Sequence, residues 1–135
     1  MILKDKNILL AVTGSIAIYK SLELIRLFIK AGANVKVILS DSAKKFINPI
    51  TFEAISQNKV LDENSENWDK NSDYNHIDIA KWADILVIAP ASANTINKIS
   101  CGIADNLLLQ TVLACKKKII IAPAANTNMI ENPIT

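Results

Sequence analysis

Three segments of this sequence set small and hydrogen-bonding residues directly behind aliphatic runs. The first is Val12-Thr13-Gly14-Ser15-Ile16-Ala17. It reads as a strand turning sharply into a helix, with Gly14 free to take a positive φ and Ser15 placed to cap the helix. The backbone N–H groups of that first turn then point beyond the strand end, which suits a phosphate. No Gly-Lys-Ser/Thr follows, so this is not a Walker loop, and the glycines of a dinucleotide fingerprint are missing. Gly-Ser turns of this kind also serve purely structural ends. The second segment is Ala89-Pro90-Ala91-Ser92-Ala93-Asn94-Thr95. Its alanines let a planar ring approach the backbone, while Ser92, Asn94 and Thr95 offer hydrogen bonds. A Ser-capped helix start is the plain alternative, and on pattern alone the two stand even. The third is Ala122-Pro123-Ala124-Ala125-Asn126-Thr127-Asn128-Met129, a further polar loop after an apolar run.

His76 is the sole histidine. Imidazole is the side chain best suited to exchange a proton near neutrality, yet a lone histidine at a surface turn is more often a helix-entry residue. Cys101 and Cys115 lie fourteen positions apart in apolar surroundings. That spacing supports neither a metal site nor a disulfide framework, and both are expected to be buried free thiols.

These segments need a scaffold, and 135 residues suffice for one domain, 1–135. Half the residues are hydrophobic, 5% aromatic and 21% charged. Aliphatic side chains must therefore fill the core, and global disorder is excluded. Fifteen basic and thirteen acidic residues give a net charge of +2. The basic residues are dispersed except at Lys116, Lys117 and Lys118, so no nucleic-acid footprint is present. No charge-free run exceeds thirteen residues, whereas a membrane-spanning helix needs about 20. With no signal-peptide pattern at the first apolar run, a cytoplasmic protein without membrane contact is expected.

Five apolar runs alternate with helical patterns: Asn7–Thr13, Asn34–Leu39, a weak one at Lys59–Leu61, Asp84–Ala89 and Lys118–Ala122. This alternation predicts an α/β fold of Rossmann-like type, three layers around a five-stranded parallel sheet. Ile85-Leu86-Val87-Ile88 and Ile119-Ile120-Ile121 lack period-two alternation, so both faces of those strands should be covered. Helices are expected over Ser15–Ala31, ended by Gly32, over Asp41–Asn48 and Ile50–Asn58 with Pro49 between them, and over His76–Trp82, Ser92–Ser100 and Ala104–Cys115. Asp62–Asn75 is a long polar surface loop. A 3-2-1-4-5 strand order puts the Gly14 and Ser92 loops on either side of the switch point where open α/β sheets bind ligands. The third loop aims at the same edge, and such convergence is harder to dismiss than any one loop.

Taken together, these segments with Ser40-Asp41-Ser42-Ala43, Phe46, His76-Ile77, Ala83-Asp84, Lys98 and Gly102-Ile103-Ala104-Asp105-Asn106-Leu107-Leu108 resemble the flavin-containing cysteine decarboxylases. Within them the similarity is greatest to the phosphopantothenoylcysteine decarboxylase domain of the bifunctional decarboxylase/ligase of coenzyme A synthesis. It covers essentially the whole chain. It implies a Rossmann-like subunit that binds FMN and oxidatively decarboxylates the small molecule 4′-phospho-N-pantothenoylcysteine to 4′-phosphopantetheine. By that resemblance Gly14, Ser15, Ile16, Ser40, Ser42 and Phe46 hold the flavin from one side, and Ser92, Ala93, Asn94 and Thr95 from the other. His76 matches the active-site histidine, Asn126 the asparagine that grips the substrate carboxylate, and Met129 a substrate-side residue. The resemblance also implies a homo-oligomer, a trimer or a multiple of trimers, in which a neighbour offers the histidine.

The sequence departs from the family pattern Pro-x-Met-Asn-x-x-Met-Trp in its last loop, with Ala125 for the first Met and Ile130 for the Trp. It also stops at Thr135, ahead of the family's substrate clamp, the clamp's cysteine and a ligase domain. FMN binding with impaired turnover is therefore the expectation. The alternatives are a non-catalytic FMN-binding or interaction subunit and a decarboxylase of a peptide's C-terminal cysteine. Flavin prenyltransferases rank lower, lacking the His76 and Asn126 pattern, and an NAD-dependent dehydrogenase lower still.

Overall fold

Residues 1–68 and 75–135 are described by a computed structural model. Asn7–Val12 (β1) is the strand around which the rest is built. It pairs in parallel with Asn34–Leu39 (β2) on one side and with Ile85–Ala91 (β3) on the other. Lys118–Pro123 (β4) pairs in parallel with β3, giving the order β2-β1-β3-β4. Successive side chains of a strand face opposite ways, so β1 feeds two cores. Ile8, Leu10 and Val12 pack with Ile25 of helix α1 (Tyr19–Lys30) and Phe52 of helix α2 (Pro49–Ser56). Leu9 and Ala11 pack with Ile79 of helix α3 (His76–Trp82) and with Leu107, Leu108 and Leu109 of helix α5 (Leu107–Ala114). The result is the three-layer α/β/α arrangement, and each fully buried Leu, Ile or Phe contributes about 1.5–3 kcal/mol. Helix α4 (Ala93–Ser100) follows β3, and a short helix α6 (Thr127–Glu131) follows β4.

Among the described residues the sheet has four strands, not five. Lys59–Leu61 contributes a single parallel bridge, Ile38 to Leu61, beside β2. Pairing ends there because Asp62 folds the chain away: its Oδ1 accepts the Asn64 N–H at 2.9 Å and its own N–H donates to Ser65 Oγ at 2.9 Å. With that bridge counted beside β2, the order along the sheet is the one expected.

Several local expectations change. The helix expected over Ser15–Ala31 begins with a 3₁₀ turn at Ile16–Ile18 before α1. Gly32 closes it at φ +98, its N–H donating to Ile29 O at 2.9 Å. Asp41–Asn48 holds a 3₁₀ turn at Ala43–Lys45. Pro49 is the first residue of α2 and not a separator, because the missing N–H costs nothing there and Asn48 caps the helix. β4 is not covered on both faces: Ile120 and Ile121 are 44% and 40% exposed at the sheet edge. Neither thiol is fully buried, with Cys101 exposed past the end of α4 and Cys115 half-buried. Of the loop expected over Asp62–Asn75, residues 69–74 lie outside the described residues. Among the described residues no helix is long and apolar enough to cross a membrane.

Candidate functional site

The carboxyl ends of β1, β2, β3 and β4 surround a cleft of about 400 Å³, within the range of small-molecule sites. One wall is Gly14 and Ser15 after β1 with Ser40, Asp41 and Ser42 after β2; the other is Ser92 to Thr95 with Lys98; Ala124, Ala125 and Met129 close a third side.

A buried threonine ties the ends of β1 and β3 together. Thr13, 1% exposed, donates from Oγ1 to Pro90 O at 2.6 Å and accepts the Ser92 N–H at 2.9 Å. Its own N–H donates to Pro90 O at 3.2 Å. β2 is held on the other flank by Ser40 N–H to Val12 O at 3.1 Å, and β4 by Ala124 N–H to Ala91 O at 2.9 Å. The strand ends therefore cannot drift independently.

The role of Gly14 differs from the expected one. It does not take a positive φ among the described glycines that do, Gly32 and Gly102. A Cβ at Gly14 would lie 2.5 Å from Ser42 Cβ and 3.1 Å from the Ser42 carbonyl carbon. Glycine is there so that the β1 and β2 loops that form this wall can touch.

Ser15 accepts the Ala17 N–H on Oγ at 3.2 Å, Ser40 Oγ takes the Ala43 N–H at 3.2 Å, and Ser92 Oγ takes the Thr95 N–H at 3.2 Å while donating to Thr95 Oγ1 at 2.9 Å. The serines thus cap the turns that open onto the cleft, and the first-turn amides of α4 have no partner within the helix. The charged lining residues are Asp41 and Lys98. Lys98 Nζ sits 3.0 and 3.2 Å from the two carboxylate oxygens of Asp105, which anchors it.

Gly14, Ser15, Ser40, Ser42, Ser92, Ala93, Asn94, Thr95 and Met129 are therefore brought to one place. Ile16 and Phe46 are exposed outside the lining, at 82% and 48%. Asn126 caps α6 through Oδ1, accepting the Met129 N–H at 3.0 Å, between the lining residues Ala125 and Met129. His76 opens α3 away from the lining, 2.7 Å from Glu66 through Nδ1. Thr13 and Asp41 were quoted in the sequence without a role. A lone hydroxyl ending an apolar strand is the signal that could have marked Thr13.

Two carboxyls outside the lining are shifted. Glu66 is held below the ordinary carboxylate range by hydrogen bonding to the His76 ring, which outweighs its partial burial. Burial raises Asp62, but the Lys44 ammonium at 2.8 Å, with the Asn64 N–H and the Ser65 hydroxyl, brings the net shift down. Lys44 is raised in return by its hydrogen bond to Asp62. Among the described residues no group of three His, Cys, Asp or Glu side chains is placed to hold a metal ion.

An open parallel sheet whose switch-point cleft is lined mainly by small, hydrogen-bonding residues, with Asp41 and Lys98 as its charged members, has the architecture of a nucleotide-cofactor-binding class. Comparison with known proteins gives the particular family: the Flavoprotein family model matches residues 2–135, and the chain belongs to that family. It is 44% identical over 131 residues to the coenzyme A biosynthesis bifunctional protein CoaBC of Bacillus subtilis (strain 168), covering 97% of this chain and 32% of that protein. It is 45% identical over 132 residues to the probable phosphopantothenoylcysteine decarboxylase of Streptococcus mutans serotype c, covering 96% of this chain and 73% of that protein. The chain thus spans about a third of the bifunctional relative. Among solved structures, the FMN-dependent cysteine decarboxylase SpaF superposes with a TM-score of 0.88 at 29% identity, covering 98% of this chain and 75% of that one.

Proposed function

We propose that this chain is the FMN-binding core of a phosphopantothenoylcysteine decarboxylase, acting on 4′-phospho-N-pantothenoylcysteine in coenzyme A synthesis. The observation that carries this reading is the convergence of the strand-end loops on one cleft, in a chain that aligns with a relative named for that decarboxylation. The residues present fit the cofactor. Neutral hydroxyls and first-turn amides suit its phosphate, and the Ala93, Ala124 and Ala125 side chains leave the backbone open to a flat ring. Bound FMN supplies the two-electron acceptor that takes the substrate thiol to a thioaldehyde, so that the adjacent carboxylate leaves as CO2 with its charge delocalised onto sulfur.

The chain's own groups bind, orient and move protons. Ser15, Ser40, Ser42 and Ser92 to Thr95 hold the cofactor; Asn126 and Met129 bind the substrate, with Asn126 fixing its carboxylate; and His76 takes the thiol proton. Ile16, Phe46 and Asn126 lie outside the lining, and the first two are assigned to the flavin and Asn126 to the substrate on resemblance alone. His76 lies outside its own chain's cleft, which supports a homo-oligomer, a trimer or a multiple of trimers, in which the histidine serves a neighbour's site. The relatives' place in coenzyme A synthesis supports a cytoplasmic enzyme.

The test is to add FMN to the purified chain, record the visible spectrum, and assay CO2 release and product thiol. A chain that binds no flavin overturns the site. CO2 from a peptide ending in cysteine, and none from the phosphopantothenoyl substrate, moves the assignment to the peptide decarboxylases. Flavin binding without CO2 from either substrate makes the chain a non-catalytic binding subunit.

A further inference from the structure

The segment that follows Leu61 is tied down at its beginning and middle. Asp62 takes the Lys44 ammonium at 2.8 Å, and Glu63 Oε2 accepts the Leu107 N–H, the first amide of α5, at 2.8 Å. Glu66 is thereby brought to the start of α3. There its Oε2 accepts the His76 backbone N–H at 3.1 Å and stands 2.7 Å from His76 Nδ1. Both side chains are about three-quarters buried. The Trp68 ring meets the imidazole edge to face, with centroids 5.5 Å apart at 81°.

We propose that Glu66 is a positioning residue for His76, holding the proton of the neutral imidazole on Nδ1 so that Nε2 carries the lone pair, with Trp68 restraining the ring. The proposal rests on the reading of His76 as the proton acceptor. A neutral imidazole has one donor and one acceptor nitrogen, and an ionised carboxylate only accepts, so a 2.7 Å contact at Nδ1 fixes the tautomer. Imidazole in water favours the other tautomer, with the proton on Nε2, which could not accept a thiol proton there. When the thiol S–H gives its proton to Nε2, the imidazolium that forms faces a carboxylate. Glu66 itself stays ionised, consistent with the downward shift of its carboxyl.

A purely structural role is the competing account, since Glu66 also accepts a first-turn amide of α3. That helix already has a cap in Asn75, whose Oδ1 accepts the Asp78 N–H at 2.9 Å. The short contact to the ring is what a cap alone does not need.

Because the chain has a single histidine, long-range proton–nitrogen NMR of the labelled full chain reads its tautomer without ambiguity and without turnover. Where the ring is neutral, the expected tautomer is Nδ1–H, shifting toward Nε2–H in Glu66→Met, which removes the acceptor facing Nδ1 while Asn75 still caps α3. Glu66→Gln, whose amide oxygen can still accept from Nδ1–H, should keep the Nδ1–H form. In the flavin-loaded protein, E66M should lower kcat about 10- to 100-fold, part of the 10²–10⁴ that positioned proton transfer supplies, with KM and flavin affinity unchanged. An Nε2–H ring in the unaltered protein, or an E66M spectrum and kcat like those of the unaltered protein, overturns the proposal. The variant His76→Asn separates this from failure of the parent reading. If H76N turns over normally, His76 is not the acceptor and both fall; if H76N is inactive while E66M is unchanged, only the role of Glu66 falls.

Discussion

Replacing Gly14 by alanine tests whether the cleft depends on direct contact between the two loops that form one of its walls. The added methyl would sit 2.5 Å from Ser42 Cβ, 3.1 Å from the Ser42 carbonyl carbon and 3.2 Å from its oxygen. Carbon pairs rest at about 3.5–4.0 Å, so the Gly14 and Ser42 loops must part by about 1 Å. Two of the three close atoms are backbone, and no rotamer change relieves them. Overpacking of this kind costs about 1–3 kcal/mol, or a fall in Tm of about 4–12 °C for a domain of this size. The larger effect belongs on the proposed ligand, because the parted loops together form one wall of the cleft. G14A should therefore lose flavin affinity at least 10-fold in a fluorescence titration while the far-UV spectrum is retained. Ser42→Gly removes the nearest atom, so G14A/S42G should recover part of the lost stability, a coupling that a double-mutant cycle isolates. Substituting Gly102 is the control: its positive φ makes alanine strained, but nothing lies within 4 Å of the new Cβ, so G102A should cost about 1 kcal/mol and leave flavin binding intact. If G14A binds flavin as tightly as the unaltered protein with the same Tm, the steric account of Gly14 is wrong.

Thr13→Val keeps the volume but removes the hydroxyl that joins β1 to the Pro90–Ser92 turn; with the Ser92 amide left without its acceptor, a loss of about 1–3 kcal/mol in urea unfolding is expected, and an unchanged midpoint would rule out the latch. Asp62 and Glu66 have lowered carboxyl pKa values, so the stability they add is present above their unfolded values of about 4 and is lost as pH falls through the folded ones. Lys44 is raised, so its share is fully present below about pH 10 and is lost as pH rises through its folded value. Tm measured against pH should fall at both ends, and Asp62→Asn should flatten both limbs; an unaltered profile in D62N refutes the pair's contribution.

The four strands were legible because each has an unbroken aliphatic run, and the switch-point cleft was legible because three such runs end in small polar residues. What failed to show in the sequence depends on neighbours it does not encode locally. Lys59–Leu61 has strand-like residues, yet Asp62 and Ser65 capture the backbone that a fifth strand needs. Ile119-Ile120-Ile121 reads as a buried strand, but burial requires something beyond β4, and here that edge is open. Gly14 was marked as special for its φ, when the constraint is a Ser42 that lies 28 positions away in sequence.

The same distinction separates the two parts of the candidate site. The cleft lining is built largely from residues that follow strands, so strand prediction alone brings most of them together at one sheet edge. His76 and Glu66 are ten residues apart in a polar stretch of sequence with no periodicity, and nothing in the pattern of Asp62, Glu63, Glu66, Asp69 and Asp73 singles out Glu66, which reaches the imidazole at 2.7 Å. Which acid it is depends on anchoring at Lys44 and at the Leu107 amide, contacts that follow from tertiary packing. Residues lining the cleft can thus be read from local order in this fold, while the orientation of the proposed proton-transfer residue depends on how the segment from Asp62 to Glu66 packs. Substitutions that loosen the Asp62–Lys44 anchor should therefore affect the His76 tautomer before they affect flavin affinity, a difference visible by comparing D62N in the NMR and titration measurements.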